Sequence, residues 1–142
     1  RDPVLAIKPG GQGALPDQAI AWTFKDYPSD CVTPLYYRDK LFVLDGDRQV
    51  MTCLQPGTGQ VLWQGNLGVR EIFRASPTGA DGRIYCISEN GTAVVLATEE
   101  FKVLARIPMG ESPVRSTIAV AAGQLFIRTA KQLYCLGRKA NP

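Results

Sequence analysis

The fold of this chain is decided by residues 40–63, which read KLFVLDGDRQVMTCLQPGTGQVLW. This stretch holds three short apolar runs, separated by two polar turns that contain glycine. Apolar runs of about 4–8 residues between turn signals are typical of buried strands. Asp-Gly in the first turn suits the positive φ angles of a hairpin, and proline with glycine forms the second corner. Residues 40–63 therefore predict a three-stranded antiparallel meander.

The same pattern recurs along the chain. Matching apolar positions lie at Leu41, Ile84 and Leu125 in one strand, and at Leu54, Leu96 and Leu136 in another. Successive matches are separated by about 40–43 residues, and a four-stranded unit at this period is typical of a β-propeller blade. Helical repeats are disfavoured because no unit shows apolar residues at helical spacing over three turns. Strands that are apolar on both faces also fit blades, which neighbouring blades cover on both sides.

The sequence thus predicts an all-β fold, a partial β-propeller of four-stranded antiparallel sheets. Two blades are expected to be complete and two incomplete. The division places the end of one blade at 4–24, complete blades at 33–65 and 75–107, and an incomplete blade at 116–136. The chain begins Arg1-Asp2-Pro3, without an initiator methionine or a signal peptide. We therefore expect it to be an internal piece of a longer protein.

Two motifs carry a resemblance to a known family. Residues 81–85 read DGRIY, and residues 53–63 read CLQPGTGQVLW. Both resemble the PQQ-like propeller repeat of quinoprotein dehydrogenases and of the outer-membrane assembly propellers of bacteria. The resemblance implies that Trp63 docks on the glycine turn at Gly59 and on the adjacent blade, and that Trp22 closes an earlier blade. It also implies a periplasmic or extracellular location. Propellers of this family commonly have about seven or eight blades, so the resemblance implies that this chain is the C-terminal part of one. The repeat departs from the pattern at Ala105, where the second unit lacks the tryptophan.

Composition excludes several classes of function. The 16 basic and 13 acidic residues leave a net charge of +3, and the basic residues are scattered rather than clustered, so nucleic-acid binding is not expected. No apolar run reaches the roughly 18 residues that would span a bilayer. The chain has no histidine, which removes the commonest general base and the commonest metal ligand.

The four cysteines do not form a metal or redox motif. They lie at Cys31, Cys53, Cys86 and Cys135, and none belongs to a C-x-x-C pair. The last three lie in apolar runs and are expected to be small buried hydrophobic residues. Sequence alone leaves disulfide pairing open, because a disulfide requires Cα atoms within about 7 Å.

No catalytic, metal-binding or cofactor-binding residue is predicted in this chain. The resemblance implies that enzymes of the family use PQQ, calcium, a catalytic aspartate and a vicinal disulfide. Here there are no adjacent cysteines and no acidic cluster of calcium-ligand type. The nearest candidate, Asp45-Gly46-Asp47, is better explained as a hairpin turn.

Arg74 and Arg115 form the one candidate binding pair. They occupy equivalent positions in successive repeats, and each lies where a connecting loop reaches the first strand of a blade. Two arginines on one rim suit an acidic ligand or a glycan carboxylate. The alternative is that each forms a local ion pair, with Glu71 or Glu111.

These observations favour a non-catalytic binding or scaffolding propeller. Its rim loops, at 25–32, 66–74 and 108–115, are expected to contact a protein or carbohydrate partner. The alternative is the C-terminal part of a PQQ-dependent dehydrogenase whose catalytic residues lie upstream, and only this alternative requires PQQ and calcium. Open edges before residue 4 and after residue 136 also predict a homo-oligomer, in which residues 19–24 of a second copy supply the missing strand.

Overall fold

The computed structural model describes residues 2–137, which form antiparallel sheets joined by turns and loops. The strands are β1 (Val4–Ile7), β2 (Ile20–Phe24), β3 (Leu35–Tyr37), β4 (Lys40–Asp45), β5 (Val50–Leu54), β6 (Val61–Asn66), β7 (Thr78–Ala80), β8 (Arg83–Ile87), β9 (Thr92–Ala97), β10 (Val103–Pro108), β11 (Ala119–Ala121), β12 (Gln124–Arg128) and β13 (Leu133–Gly137). One 3-10 turn, Asp17–Ala19, precedes β2. In the described residues, no helix is long and apolar enough to cross a membrane.

The strands form four sheets in chain order. Their orders are β1-β2, β3-β4-β5-β6, β7-β8-β9-β10 and β11-β12-β13, and every pairing is between strands that follow one another in sequence. They are called the first to fourth sheets below. Each is an up-and-down antiparallel meander, as a propeller blade requires. The predicted fold class, an all-β partial propeller with two complete four-stranded blades, is confirmed.

Tight hairpins set the register of the three larger sheets. The closing pairs of the first hairpins are Tyr37 with Lys40, Ala80 with Arg83, and Ala121 with Gln124. Both turn residues have positive φ in every case, at Arg38 and Asp39, Asp81 and Gly82, and Ala122 and Gly123. Positive φ at both central residues is the type I′ geometry, whose twist matches that of the flanking strands. The matching registers allow residues to be compared position by position between sheets.

The sheets stack face to face, with an apolar core between each neighbouring pair. The core between the first and second sheets contains Phe24, Val43 and Leu54. The largest core, between the second and third sheets, contains Phe42, Met51, Ile84 and Leu96 among others. A third core, built around Ile87, Val114, Ile118 and Ile127, joins the third and fourth sheets. Strand β7 contacts both β3 and β11, so the first strands of successive sheets lie side by side at the inner edge.

Candidate functional site

The candidate site is one rim of the stack, where the loops between sheets meet the second hairpin of each complete blade. We use "the rim" for loops 25–34, 67–77 and 109–118 together with hairpins 46–49 and 88–91. The backbone N–H of Phe73 donates to the carbonyl of Gly46 at 2.9 Å, and that of Val114 donates to the carbonyl of Glu89 at 2.7 Å. Leu67 and Met109 make matching bonds at the other end of each loop, to Gln49 and Gly91. These main-chain bonds attach each connecting loop to a blade and hold it in one position.

A buried polar side chain closes each hairpin at the rim. Asp45, fully buried, accepts hydrogen bonds through Oδ1 from the backbone N–H of Asp47 at 3.1 Å and of Arg48 at 3.0 Å. Ser88 and Thr129 occupy the same position in the next two sheets, where their hydroxyl oxygens accept from Thr92 and Gln132. This geometry supports the interpretation of Asp45-Gly46-Asp47 as a hairpin. Within residues 2–137, no group of three or more acidic, cysteine or histidine side chains is arranged to hold a metal.

The two candidate arginines lie on the rim, and each is paired with a carboxylate of the preceding blade. Arg74 contacts Asp47 at 3.3 Å and Asp30 at 3.8 Å, and Arg115 Nε contacts Glu89 Oε1 at 2.6 Å. The pKa of Arg74 is raised, first by its hydrogen bond to the Cys31 sulfur and then by the charges of Asp30 and Glu89. Each guanidinium group thus lies beside at least one carboxylate of the rim.

The carboxylates that pair with these arginines are not the ones nearest in sequence. Glu111, an expected partner of Arg115, instead accepts from the Thr129 hydroxyl and from the backbone N–H of Lys131. The actual partners, Asp47 and Glu89, were missed as candidate residues. They lie in equivalent hairpins of successive repeats but not at equivalent positions, since the strand register matches Glu89 to Gly46. The repeat pattern therefore carried no signal for these two carboxylates.

A small polar cavity of about 400 Å³ opens on the same rim. It lies between the loop residues Lys25, Asp26 and Pro28 and the hairpin residues Asp47 and Arg48. The Arg48 guanidinium also lies 5.8 Å from the ring centre of Tyr27, a distance at which a cation interacts favourably with an aromatic face. The rim therefore presents fixed charges of both signs around an aromatic ring.

Trp22, Trp63 and Gly59 lie at the contacts between sheets. The Trp22 indole covers Gly59, where an added Cβ would approach the ring to 2.6 Å, and its Nε1–H donates to the Pro56 carbonyl at 2.7 Å. The Trp63 indole donates to the Thr98 carbonyl at 3.1 Å and lies 5.9 Å from the Phe101 ring. Each tryptophan thus contacts the last turn of the following sheet. The indole over Gly59 comes from the preceding sheet and not from Trp63.

All four cysteines are free thiols, and they fall into two classes. Cys53 and Cys86 are buried, and burial raises the pKa of Cys53 to about 11 and that of Cys86 to about 12. Cys31 is exposed on the rim. The expectation of burial was wrong for Cys135, which is exposed because it faces away from the third sheet, whereas its neighbour Tyr134 packs against it.

The stacked four-stranded meanders and their docking tryptophans define a propeller-type repeat protein. A family described as outer membrane protein assembly factor BamB matches residues 17–104 and, in an overlapping match, residues 46–139. The chain therefore belongs to this family of PQQ-like repeats, as the resemblance of the motifs implied. No curated protein sequence matches the chain.

Solved structures confirm the fold. The computationally designed Ika4 protein superposes with a TM-score of 0.65 at 14% identity, covering 83% of this chain and 73% of Ika4. The quinohemoprotein alcohol dehydrogenase from Comamonas testosteroni gives 0.58 at 14% identity, with 71% of this chain and 17% of the dehydrogenase covered. BamB from Moraxella catarrhalis gives 0.57 at 15% identity, with 76% of this chain and 36% of BamB covered. The chain spans only a minor part of these two natural proteins.

Proposed function

We propose that this chain is part of a non-catalytic propeller that binds a partner protein through the rim and serves as a scaffold in the assembly of outer membrane proteins. The observation that carries the proposal is the anchoring of loops 67–77 and 109–118 to the neighbouring hairpins by repeated main-chain hydrogen bonds. Loops held in one conformation lose little entropy on binding. Membership of a family described as an outer membrane protein assembly factor supports the same role, and it favours a periplasmic location.

Within this proposal, the rim arginines order the partner-binding loops. Arg74 and Arg115 each bridge a connecting loop to the preceding blade through Asp47 and Glu89. These carboxylates already offset the positive charge of the two guanidinium groups, which argues for an internal role over the anion-binding hypothesis. Exchange of the charges tests this. If the pair only orders the loop, the double variant Arg115→Glu with Glu89→Arg should retain partner binding. If Arg115 instead binds an acidic ligand directly, the same variant should abolish the binding of that ligand.

Site-specific photo-crosslinking in the full-length protein, in cells, tests the role of the rim. A photoreactive residue at 70 or 112, in the two connecting loops, is expected to crosslink to a component of the outer-membrane assembly machinery, identified by mass spectrometry. Positions 38 and 122 are the matched controls, because those first hairpins lie at the opposite ends of the strands. Equal crosslinking from both rims, or none from 70 and 112, would reject the proposal.

The competing function is that of a PQQ-dependent dehydrogenase whose catalytic residues lie elsewhere in the protein. The fold of this chain is compatible with that function, because it superposes on part of the quinohemoprotein alcohol dehydrogenase. The described residues do not fit PQQ with calcium, because Asp45 closes its hairpin and Asp47 and Glu89 pair with arginines. Titration of the full-length protein with PQQ and Ca²⁺, followed by quinone absorbance, separates the two functions. Saturable binding at one quinone per chain would favour the dehydrogenase.

We further propose that the chain self-associates through the ends of the stack. In the described part, β13 pairs with β12 on one side, and the outward faces of the end sheets expose Leu5, Ile7 and Leu133. Strand β2 of a second copy would extend the fourth sheet and cover such a face. Light scattering at micromolar concentration should give at least twice the chain mass of 15.5 kDa. A mass of one chain would exclude this assembly.

A further inference from the structure

The three connecting loops of the rim, which we call the first to third rim loops in chain order, are joined to one another as well as to the hairpins. The backbone N–H of Thr33, in the first rim loop, donates to the hydroxyl oxygen of Ser76 in the second at 3.0 Å. The backbone N–H of Ser76 donates in turn to the hydroxyl oxygen of Thr117, in the third rim loop, at 3.2 Å. A side-chain oxygen therefore ties each rim loop to the next.

These three hydroxyl-bearing residues occupy equivalent positions in the repeat. Each lies two residues before the first strand of its sheet, β3, β7 or β11. The two hydrogen bonds accordingly span 43 and 41 residues, which is the repeat period. Serine and threonine both carry the hydroxyl on Cβ, so either can accept a hydrogen bond at this position. The link between loops is thus a property of the repeat and not of one turn.

A main-chain route joins the second and third rim loops as well. The backbone N–H of Glu89 donates to the carbonyl of Ile72 at 2.8 Å, and the carbonyl of Glu89 accepts from the N–H of Val114 at 2.7 Å. Hairpin 88–91 therefore contacts the second rim loop on one side and the third on the other. The two loops are joined through this hairpin near their middle and through the Thr117 hydroxyl at their inner ends.

The stacking of the third and fourth sheets does not depend on that hydroxyl alone. At the same inner end, the Thr78 hydroxyl donates to the Ile118 carbonyl at 2.6 Å. Val114 and Ile118 are also buried in the core between these two sheets. Removing the Thr117 hydroxyl should therefore release the contact between the loops and leave the sheets in place.

We infer that Ser76 and Thr117 are positioning residues of the rim. Their hydroxyl groups fix the three rim loops relative to one another, so that the loops form one platform instead of three separate segments. Binding of a partner at one loop then depends on a hydroxyl group carried by the next. This consequence for binding rests on the proposed function, whereas the coupling between loops is a property of the free chain.

Native-state hydrogen exchange of the free chain, followed by NMR, tests the coupling. Thr117→Val keeps the shape of the side chain but removes the acceptor. Exchange of the Ser76 amide should become about fivefold faster, which corresponds to about 1 kcal/mol, the contribution of one hydrogen bond. The amides of Thr33 and Phe73 should also exchange about twofold faster or more, because a loop released at one end opens as a unit. Acceleration confined to Ser76 would overturn the inference.

Two control variants separate this coupling from a general loss of stability. Thr117→Ser keeps a hydroxyl and should exchange like the unchanged chain. Thr58→Val removes a hydroxyl that accepts from the Gln60 N–H at 3.3 Å, in a turn at the opposite ends of the strands from the rim. It should leave the exchange of the rim amides unchanged. Acceleration at the rim in either control equal to that in Thr117→Val would contradict the inference.

Ser76→Ala tests the link between the first and second rim loops and decides the question if the first variant fails to fold. It removes the acceptor of the Thr33 N–H, so that amide should exchange about fivefold faster. The amide of Phe73 should again become about twofold faster or more. The contact between Arg74 and Asp30 also joins these two loops, but at 3.8 Å between partly exposed side chains it should not compensate. Unchanged exchange at Phe73 would overturn the inference.

Crosslinking from residue 70 in the full-length protein tests the consequence for binding. Thr117→Val, in the third rim loop, should lower the crosslink yield from the second rim loop about fivefold, and Thr117→Ser should leave it unchanged. The exchange experiment is done without partner, so a direct contact of Thr117 with the partner cannot produce its result. Absence of crosslinking in the unchanged protein would refute the proposed function, and the exchange rates would still decide the coupling. A normal yield in Thr117→Val would refute the positioning role in binding.

Discussion

Replacing Trp63 by alanine tests the stacking of the two complete blades most informatively. The change removes a hydrogen bond to the Thr98 carbonyl and ring contacts with Phe42 and Phe101 at 5.6 and 5.9 Å. A hydrogen bond contributes about 1 kcal/mol, and an aromatic pair adds about 0.5–1.5 kcal/mol beyond its buried area. Truncation of a fully buried aromatic residue costs about 3–5 kcal/mol. Since Trp63 is only partly buried, we expect a loss of about 3 kcal/mol in unfolding free energy.

Urea unfolding followed by far-UV circular dichroism measures this loss, with Leu62→Ala as the matched control. Leu62 is the adjacent residue, 47% exposed, and its truncation should cost less than about 1 kcal/mol. A double-mutant cycle with Phe101→Ala then isolates the contact between blades, and a coupling of about 1 kcal/mol is expected. If Trp63→Ala cost no more than Leu62→Ala, or if the two aromatic substitutions were additive, the described docking of one blade on the next would be refuted.

Three further outcomes are expected. The exposed thiols of Cys31 and Cys135 should react rapidly with a disulfide reagent at neutral pH. The buried thiols of Cys53 and Cys86 should react only after unfolding, because burial keeps them protonated. Gly46→Ala should lower the denaturation midpoint and cost about 2 kcal/mol or more of unfolding free energy, because the new Cβ would lie 2.1 Å from the Phe73 carbonyl oxygen. The control Gly57→Ala should leave the midpoint unchanged, because the space around Gly57 is open. The hydrogen bond from Lys40 at 2.8 Å lowers the pKa of Glu99 in the folded protein. The contribution of this ion pair to folding stability is therefore fully present above the unfolded-state pKa of Glu99 and is lost as pH falls through its folded-state pKa. An NMR titration should show the pKa of Glu99 rising in Lys40→Met.

The fold was predictable because its cause is local and repeated. Continuous apolar strands, hairpin glycines and the regular spacing of equivalent positions each specify the same four-stranded unit, and the structure contains it twice in full. Strand ends were less predictable. Strands β6 and β10 continue through Asn66 and Pro108, beyond the runs that the sequence indicated, because pairing with β5 and β9 keeps these last residues in extended conformation.

The candidate site was only partly predictable, since its contacts connect different units of the repeat. Sequence placed Arg74 and Arg115 in equivalent loops, but their partners Asp47 and Glu89 come from hairpins of the preceding blade. Sequence also noted that Ala105 replaces a tryptophan. What the tryptophan contacts where it is present, the turn of the following sheet at Thr98, is not revealed by a single repeat unit.

The central claim is that the first and second sheets each dock a tryptophan on the sheet that follows. Nuclear Overhauser measurements from the two indole N–H protons test it directly. The expected result is that the Trp22 proton shows contacts to residues 56–59 and the Trp63 proton shows contacts to residues 98–101, with slow hydrogen exchange at both. Contacts confined to each tryptophan's own sheet, with rapid exchange, would contradict the stacked arrangement.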